Sequence, residues 1–261
     1  MDLKKKLLVA LSIIFVQVNL AQSGYRVVEG KSVGIWPHND RFKSLENIRE
    51  LKQKWGFNYF LLAAIYSEKE KEMAVAAGFD ADHIAFQIYM PDVNSPQIYF
   101  KEKLEKLGKI WGYYFDEPIS REHSYKDFLN LLAVMSDNGL YPYSKLIISE
   151  LDEKKALKVS PFVDDVTYSG YGNHEKLGLD QAESWSTWKN FVGSKFGMPW
   201  ISADADSNEY RTLFKAAKDL GFNFVWLYAL EPLEENREVS DLNYEKFCEA
   251  AVEYGFMKKE K

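Results

Sequence analysis

Ile110-Trp111-Gly112-Tyr113-Tyr114-Phe115-Asp116, followed by Glu117-Pro118, is the stretch that points most directly to the fold. Its aromatic and β-branched residues run on without strict apolar–polar alternation, as in a strand covered on both faces. Two acids and a proline end it. Ser124 then offers a helix N-cap, and Gly139 sits where a helix ends on a left-handed residue. A doubly covered strand followed by a helix is the repeating half of a βαβ unit, and the rest of the chain carries copies of it.

Similar β-rich runs are read at Val33–Pro37, Asn58–Ala64, His83–Met90, Lys145–Ser149, Asp165–Ser169, Pro199–Asp204 and Phe222–Ala229. Helix starts are expected after them, at Ser44, Ser67, Ser95, Ser124, Asp152, Asp180, Asp206 and Ser240. Ser67 with Glu70, Asp180 with Glu183 and Asp206 with Glu209 have capping-box spacing, and Pro96 stands at a first helical position. Helical apolar spacing appears in Leu45, Ile48 and Leu51, and in Trp185, Trp188 and Val192. Gly56, Gly78 and Gly221 mark further helix ends. Eight strand–helix units predict an α/β fold, a single (β/α)8 TIM barrel, in a chain near the ~250 residues typical of that class. The competing open doubly wound sheet lacks its phosphate loop, because the first turn is Trp36-Pro37-His38-Asn39-Asp40.

Outside the barrel lie the first residues and the last. Lys4, Lys5 and Lys6 precede an apolar run, Leu7 to Val16, with a small-residue cleavage site near Ala21. Residues 1–21 are therefore expected to be a secretory signal peptide and 22–261 the barrel, with a secreted or periplasmic product. No cysteine stands at the cut to carry a lipid, and no membrane association is expected after cleavage. Lys258 to Lys261 reads as a frayed charged end.

Composition narrows the function. With 46% apolar and 28% charged residues the chain is neither disordered nor fibrous. One cysteine, Cys248, excludes an internal disulfide, and four scattered histidines leave no zinc-hydrolase motif, so neither metal nor cofactor is expected. A net charge of −6 does not suit a nucleic-acid partner. Oligomeric state is not legible.

In a TIM barrel, catalytic groups sit at the C-terminal ends of the strands. Here those ends include His38, Tyr66, Gln87, Tyr89, Asp116-Glu117, Ser149-Glu150, Tyr168, Tyr171, Asp204, Asp206, Trp226 and Glu231, an aromatic and acidic rim. Aromatic faces stack on the C–H faces of sugars while carboxylates accept from their hydroxyls. A carbohydrate is thus the expected ligand, with Trp36, His38, Tyr89, Tyr114, Tyr168, Tyr171, Trp226 and Glu231 as candidate binding residues. Glycoside cleavage needs a protonated and an ionised carboxyl group. Glu117 is the candidate acid, with Asp116 and Asp204 as its candidate partners.

Phe115-Asp116-Glu117-Pro118 resembles the Asn-Glu-Pro signature on the fourth strand of clan A retaining glycoside hydrolases. That resemblance implies Glu117 as acid/base and an aromatic platform on the eighth strand, where Trp226 stands. The chain departs from the clan in having Asp116 for Asn, and Asp204 and Asp206 at the seventh strand for Glu. The adjacent Asp116-Glu117 pair also resembles the substrate-assisted hexosaminidases, which implies Glu117 as acid and Asp116 orienting the substrate's own 2-acetamido group. Both resemblances keep Glu117 as the acid.

Several of these residues have structural roles that compete. Asp206 reads first as an N-cap with Glu209, which leaves Asp204 as the seventh-strand carboxylate. Glu231 stands in an acidic stretch with Glu234, Glu235 and Glu238, of a kind common in solvated loops. Trp55, Trp185 and Trp188 read as packing residues. The functional expectations are an exported glycoside hydrolase, a catalytically silent glycan-binding barrel and, more remotely, a metal-dependent lyase or phosphodiesterase.

Overall fold

The computed structural model describes residues 24–38, 44–64, 66–90, 93, 95–119, 125–140, 144–150, 152–168, 179–203, 205–230 and 241–260. The strands are β1 (Tyr25–Val27), β2 (Ser32–His38), β3 (Tyr59–Leu62), β4 (Ile84–Ile88), β5 (Gly112–Asp116), β6 (Lys145–Glu150), β7 (Asp165–Tyr168), β8 (Trp200–Ser202), β9 (Phe224–Leu230) and β10 (Met257–Lys259). β2 to β9 form one parallel eight-stranded sheet in the order β7-β6-β5-β4-β3-β2-β9-β8. Because β2 pairs with both β3 and β9, the first and last barrel strands close on each other. Among the described residues the ladder is interrupted only between β7 and β8. The fold is an α/β TIM barrel.

The helices between the strands start largely where the sequence places their caps. They are α1 (Leu45–Gln53), α2 (Glu68–Ala76), α3 (Pro96–Tyr99, a π-helical turn Phe100–Leu104, then Glu105–Leu107), α4 (Tyr125–Asp137), α5 (Glu153–Val159), α6 (Leu179–Val192), α7 (Ser207–Asp219) and α8 (Asp241–Glu253). The side chain of Ser44 accepts from Asn47 N–H, and that of Asp152 from Lys155 N–H. Asp206 accepts from Asn208 and Glu209 N–H, while Glu209 returns a bond to the Asp206 N–H, a complete capping box. Asp180 differs from expectation: α6 already includes Leu179, so Asp180 lies inside the helix. Ser124 and Ser240 lie outside the described residues.

A second correction concerns the chain's last residues. Met257–Lys259 is not frayed but pairs antiparallel with Tyr25–Val27, in the register Tyr25↔Lys259. This two-stranded ribbon sits beside α1, where Tyr25 N–H donates to Lys54 O and the Tyr25 ring stacks on Trp55. Gly56 follows at φ 72, and a Cβ there would meet Tyr25 O at 2.1 Å. One apolar residue followed by Lys258 and Lys259 carried too few positions to show a three-residue strand.

Strand alternation divides the core in two. Phe60 and Phe115 point outward, packing on Phe79, just past α2, and on Phe128 of α4. Trp36, Tyr114, Trp200, Trp226 and Tyr228 face inward and fill the lumen, with Trp200 stacked on Trp226 at 5.2 Å and Trp36 against Tyr228 at 4.6 Å. Each buried aromatic of this size contributes about 1.5–3 kcal/mol of burial. Gly34 leaves the room they need: a Cβ there would lie 2.2 Å from Trp226 Cε3. The lumen is therefore a packed core and not a pore.

Candidate active site

Above the aromatic layer, the C-terminal ends of β4, β5 and β6 carry polar residues where the strands below are apolar. Register places Gln87 beside Tyr114 and Asp116 beside Ser149, so all three polar side chains share the inward face. Gln87 Nε2 donates to Asp116 Oδ2 at 3.3 Å, and Ser149 Oγ donates to Asp116 Oδ1 at 3.3 Å. The Gln87 amide is itself oriented, because its Oε1 accepts from Ala64 N–H at 2.9 Å. Donors on both oxygens favour a carboxylate over a carboxylic acid. Asp116 is 5% exposed, deep enough for these bonds to matter.

Glu117 follows at φ 46, the only positive φ outside glycine among the described residues. A side chain in the left-handed region costs roughly 1–2 kcal/mol, and such strain persists only where its surroundings fix it. Here its N–H donates to Ser149 O at 3.1 Å and lies 3.3 Å from Ser149 Oγ. The left-handed turn departs from strand geometry directly after Asp116, so the in–out alternation of β5 stops at Asp116. Glu117 is 7% exposed.

The remaining expected residues fall into three groups. Trp36, Tyr114 and Trp226 are buried in the lumen, so they form the floor beneath Asp116 rather than an open stacking surface. Tyr89 is half-buried just past β4. The backbones of His38 and Tyr168 end β2 and β7, opposite Leu230 and Glu150. The side chains of those two residues, together with Asp204, Tyr171 and Glu231, lie outside what the structure describes. The opposing carboxylate expected at Asp204 is thus not among the described residues.

Gln87, Ser149 and Glu150 were visible in the sequence as rim residues but carried no assigned role. Their signal was polarity at the end of a run that is otherwise apolar, as in Leu146-Ile147-Ile148-Ser149-Glu150. Tyr66, also at the rim, is buried and donates from its hydroxyl to Pro37 O at 3.1 Å, tying the end of β2 to the loop after β3. Among the described residues no three His, Cys, Asp or Glu side chains gather as a metal site. No described helix is long and apolar enough to cross a membrane.

Two other features lie away from this rim. A cavity of about 580 Å³ opens at the strand starts, lined by Arg26, Lys52, Gly56 and Asn58 among others; that end of a TIM barrel serves stability rather than catalysis. Asp165 is buried at the start of β7, where loss of solvent pushes its carboxyl up to about 8. Its Oδ2 accepts from Gly197 N–H at 2.8 Å, in the segment leading to β8.

No protein-family model matches the sequence, and no curated protein matches it. Solved structures do match the fold. Active domain 2 of chitinase from Pyrococcus furiosus is 13% identical, with 90% of this chain and 99% of that chain covered and a TM-score of 0.57. A sugar phosphate isomerase/epimerase from Parabacteroides distasonis is 13% identical over 87% and 96% of the two chains, with a TM-score of 0.54. The homocysteine methyltransferase of Escherichia coli is 9% identical over 85% and 96%, with a TM-score of 0.56. These proteins carry out unlike chemistries and are distant in sequence, so the likeness is one of fold: this chain is a TIM barrel whose rim at β5 carries an oriented Asp116 and a strained Glu117.

Proposed function

We propose that the protein is a glycoside hydrolase in which Glu117 protonates the departing glycosidic oxygen. The observation that carries this reading is the Asp116-Glu117 pair itself. One carboxyl accepts from Gln87 and Ser149, and the next follows at the left-handed residue that ends the strand. Both acids are nearly buried at the end of β5. In the reaction, the Glu117 proton moves to the leaving oxygen as the anomeric C–O bond breaks. Asp116 stabilises the positive charge that develops at the anomeric carbon or orients a substrate group that does so. Water completes the hydrolysis and returns a proton to Glu117. Export by way of residues 1–21, and a carbohydrate partner outside the cytoplasm, belong to the same proposal.

The test is Glu117→Gln, assayed on a panel of α- and β-linked gluco-, galacto-, manno- and N-acetylgluco-oligosaccharides. General acid catalysis contributes roughly 10²–10⁴-fold, so hydrolysis of the oligosaccharide that the wild type cleaves should fall by that order. Aryl glycosides whose leaving group needs no proton should lose far less. Undiminished oligosaccharide cleavage by Glu117→Gln would sink the assignment. Saturable binding by the wild type without any product would instead identify a glycan-binding barrel.

A further inference from the structure

We infer that Glu150 is a positioning residue that holds Glu117 in its left-handed conformation through the backbone of Ile119. The three residues that carry the acid away from β5 are Glu117, Pro118 and Ile119. Proline has no N–H, so this turn has two amide donors to satisfy. Both are taken by the last two residues of β6. Glu117 N–H goes to the Ser149 carbonyl at 3.1 Å, and Ile119 N–H goes to Glu150 Oε1 at 3.0 Å. Glu150 is fully buried. A buried carboxylate is expensive, and a charge-assisted bond to a backbone amide is the strong kind that offsets the cost.

The geometry explains why one amide bond is not enough. β5 and β6 are laddered through Asp116↔Ser149, so the N–H of Glu117 is the next rung in line and would form whichever way the chain turned afterwards. What distinguishes the left-handed turn is where Ile119 arrives. Glu150 reaches from the neighbouring strand to that amide and fixes the far end of the turn. Ser149 Oγ, donating to Asp116 Oδ1, fixes the near end. The Ser149-Glu150 dipeptide thereby sets the relative position of both proposed catalytic carboxyls. The inference that this positioning serves catalysis rests on the glycosidase reading; the inference that Glu150 determines the Glu117 conformation does not.

The experiment uses the full chain with Glu150→Gln, which keeps an acceptor oxygen for Ile119 N–H, and Glu150→Met, which fills the space without one. Crystal structures of both variants read the conformation directly. Glu117 should stay at positive φ in Glu150→Gln and leave it in Glu150→Met. If Glu150→Met does not fold, Ile119→Pro removes the donor while leaving the carboxylate, and its Glu117 should relax in the same way. Positive φ retained in Glu150→Met, or in Ile119→Pro when that variant is used, overturns the inference. On the oligosaccharide cleaved by the wild type, kcat of Glu150→Met should fall roughly a hundredfold, as for a reacting group misplaced by about 1 Å, with KM little changed. Glu150→Gln should recover most of it. A barrel with no activity on any glycan, yet with the φ values behaving as stated, would refute the glycosidase reading and leave the positioning role standing.

Discussion

Asp165→Asn isolates the ionisation of one buried carboxyl. In the folded protein Asp165 is buried, its Oδ2 accepts from Gly197 N–H, and its Oδ1 has no hydrogen-bond partner among the described residues. Burial holds its pKa at about 8 against 3.8 for the free group, so the folded state keeps a proton that the unfolded state releases. Stability is then highest at acidic pH and declines as pH rises from about 4 towards 8, at up to about 1.4 kcal/mol per unit. Between pH 5 and pH 7 the loss is roughly 3 kcal/mol, or roughly 5–10 °C in Tm for a chain of this size. Asparagine keeps the acceptor for Gly197 and cannot ionise. Urea unfolding of both proteins at pH 5, 6 and 7 should therefore show wild-type stability falling relative to Asp165→Asn by that amount. Parallel pH profiles would refute the argument, because the proton on Asp165 would then be absent from the folded state or irrelevant to it.

Two further substitutions probe the scaffold. Gly34→Ala drives a methyl group into the Trp226 ring at 2.2 Å and should destabilise by about 1–3 kcal/mol, with near-ultraviolet circular dichroism reporting a displaced tryptophan stack. Asp206→Ala removes both bonds to the first turn of α7 and should cost about 1 kcal/mol in chemical denaturation, with catalytic activity intact, as expected of a cap and not of a reacting carboxylate.

The barrel was legible because its signals are local. Each strand is a short aromatic or β-branched run, several helices open on a cap such as Ser44, Asp152 or Asp206, and the strand runs read from sequence fall within three residues of the observed ends. Val33–Pro37, for example, became Ser32–His38. What remained hidden depends on pairing across the sheet. The sequence could place Glu117 at a strand end but not its φ, because that angle is set by Ser149 and Glu150 some thirty residues later. Trp36 and Trp226 illustrate the converse. Period-two alternation allows an inward aromatic to be either floor or ligand platform, and only the closure of the ring around it shows that both rings are enclosed. The ribbon of β1 and β10 was missed because three residues at either end carry no periodicity of their own.

That ribbon also orders events in time. Tyr25 and Lys259 are neighbours in space but lie far apart in the sequence, so their contact closes a long loop and carries a correspondingly large closure entropy. During synthesis at roughly 5–20 residues per second, β1 waits on the order of tens of seconds for its partner. Until then Arg26, whose guanidinium is 3.4 Å from Glu260 in the finished ribbon, and its flanking amides form an open edge. The base of the barrel thus stays unlocked until both strands of the ribbon have been made.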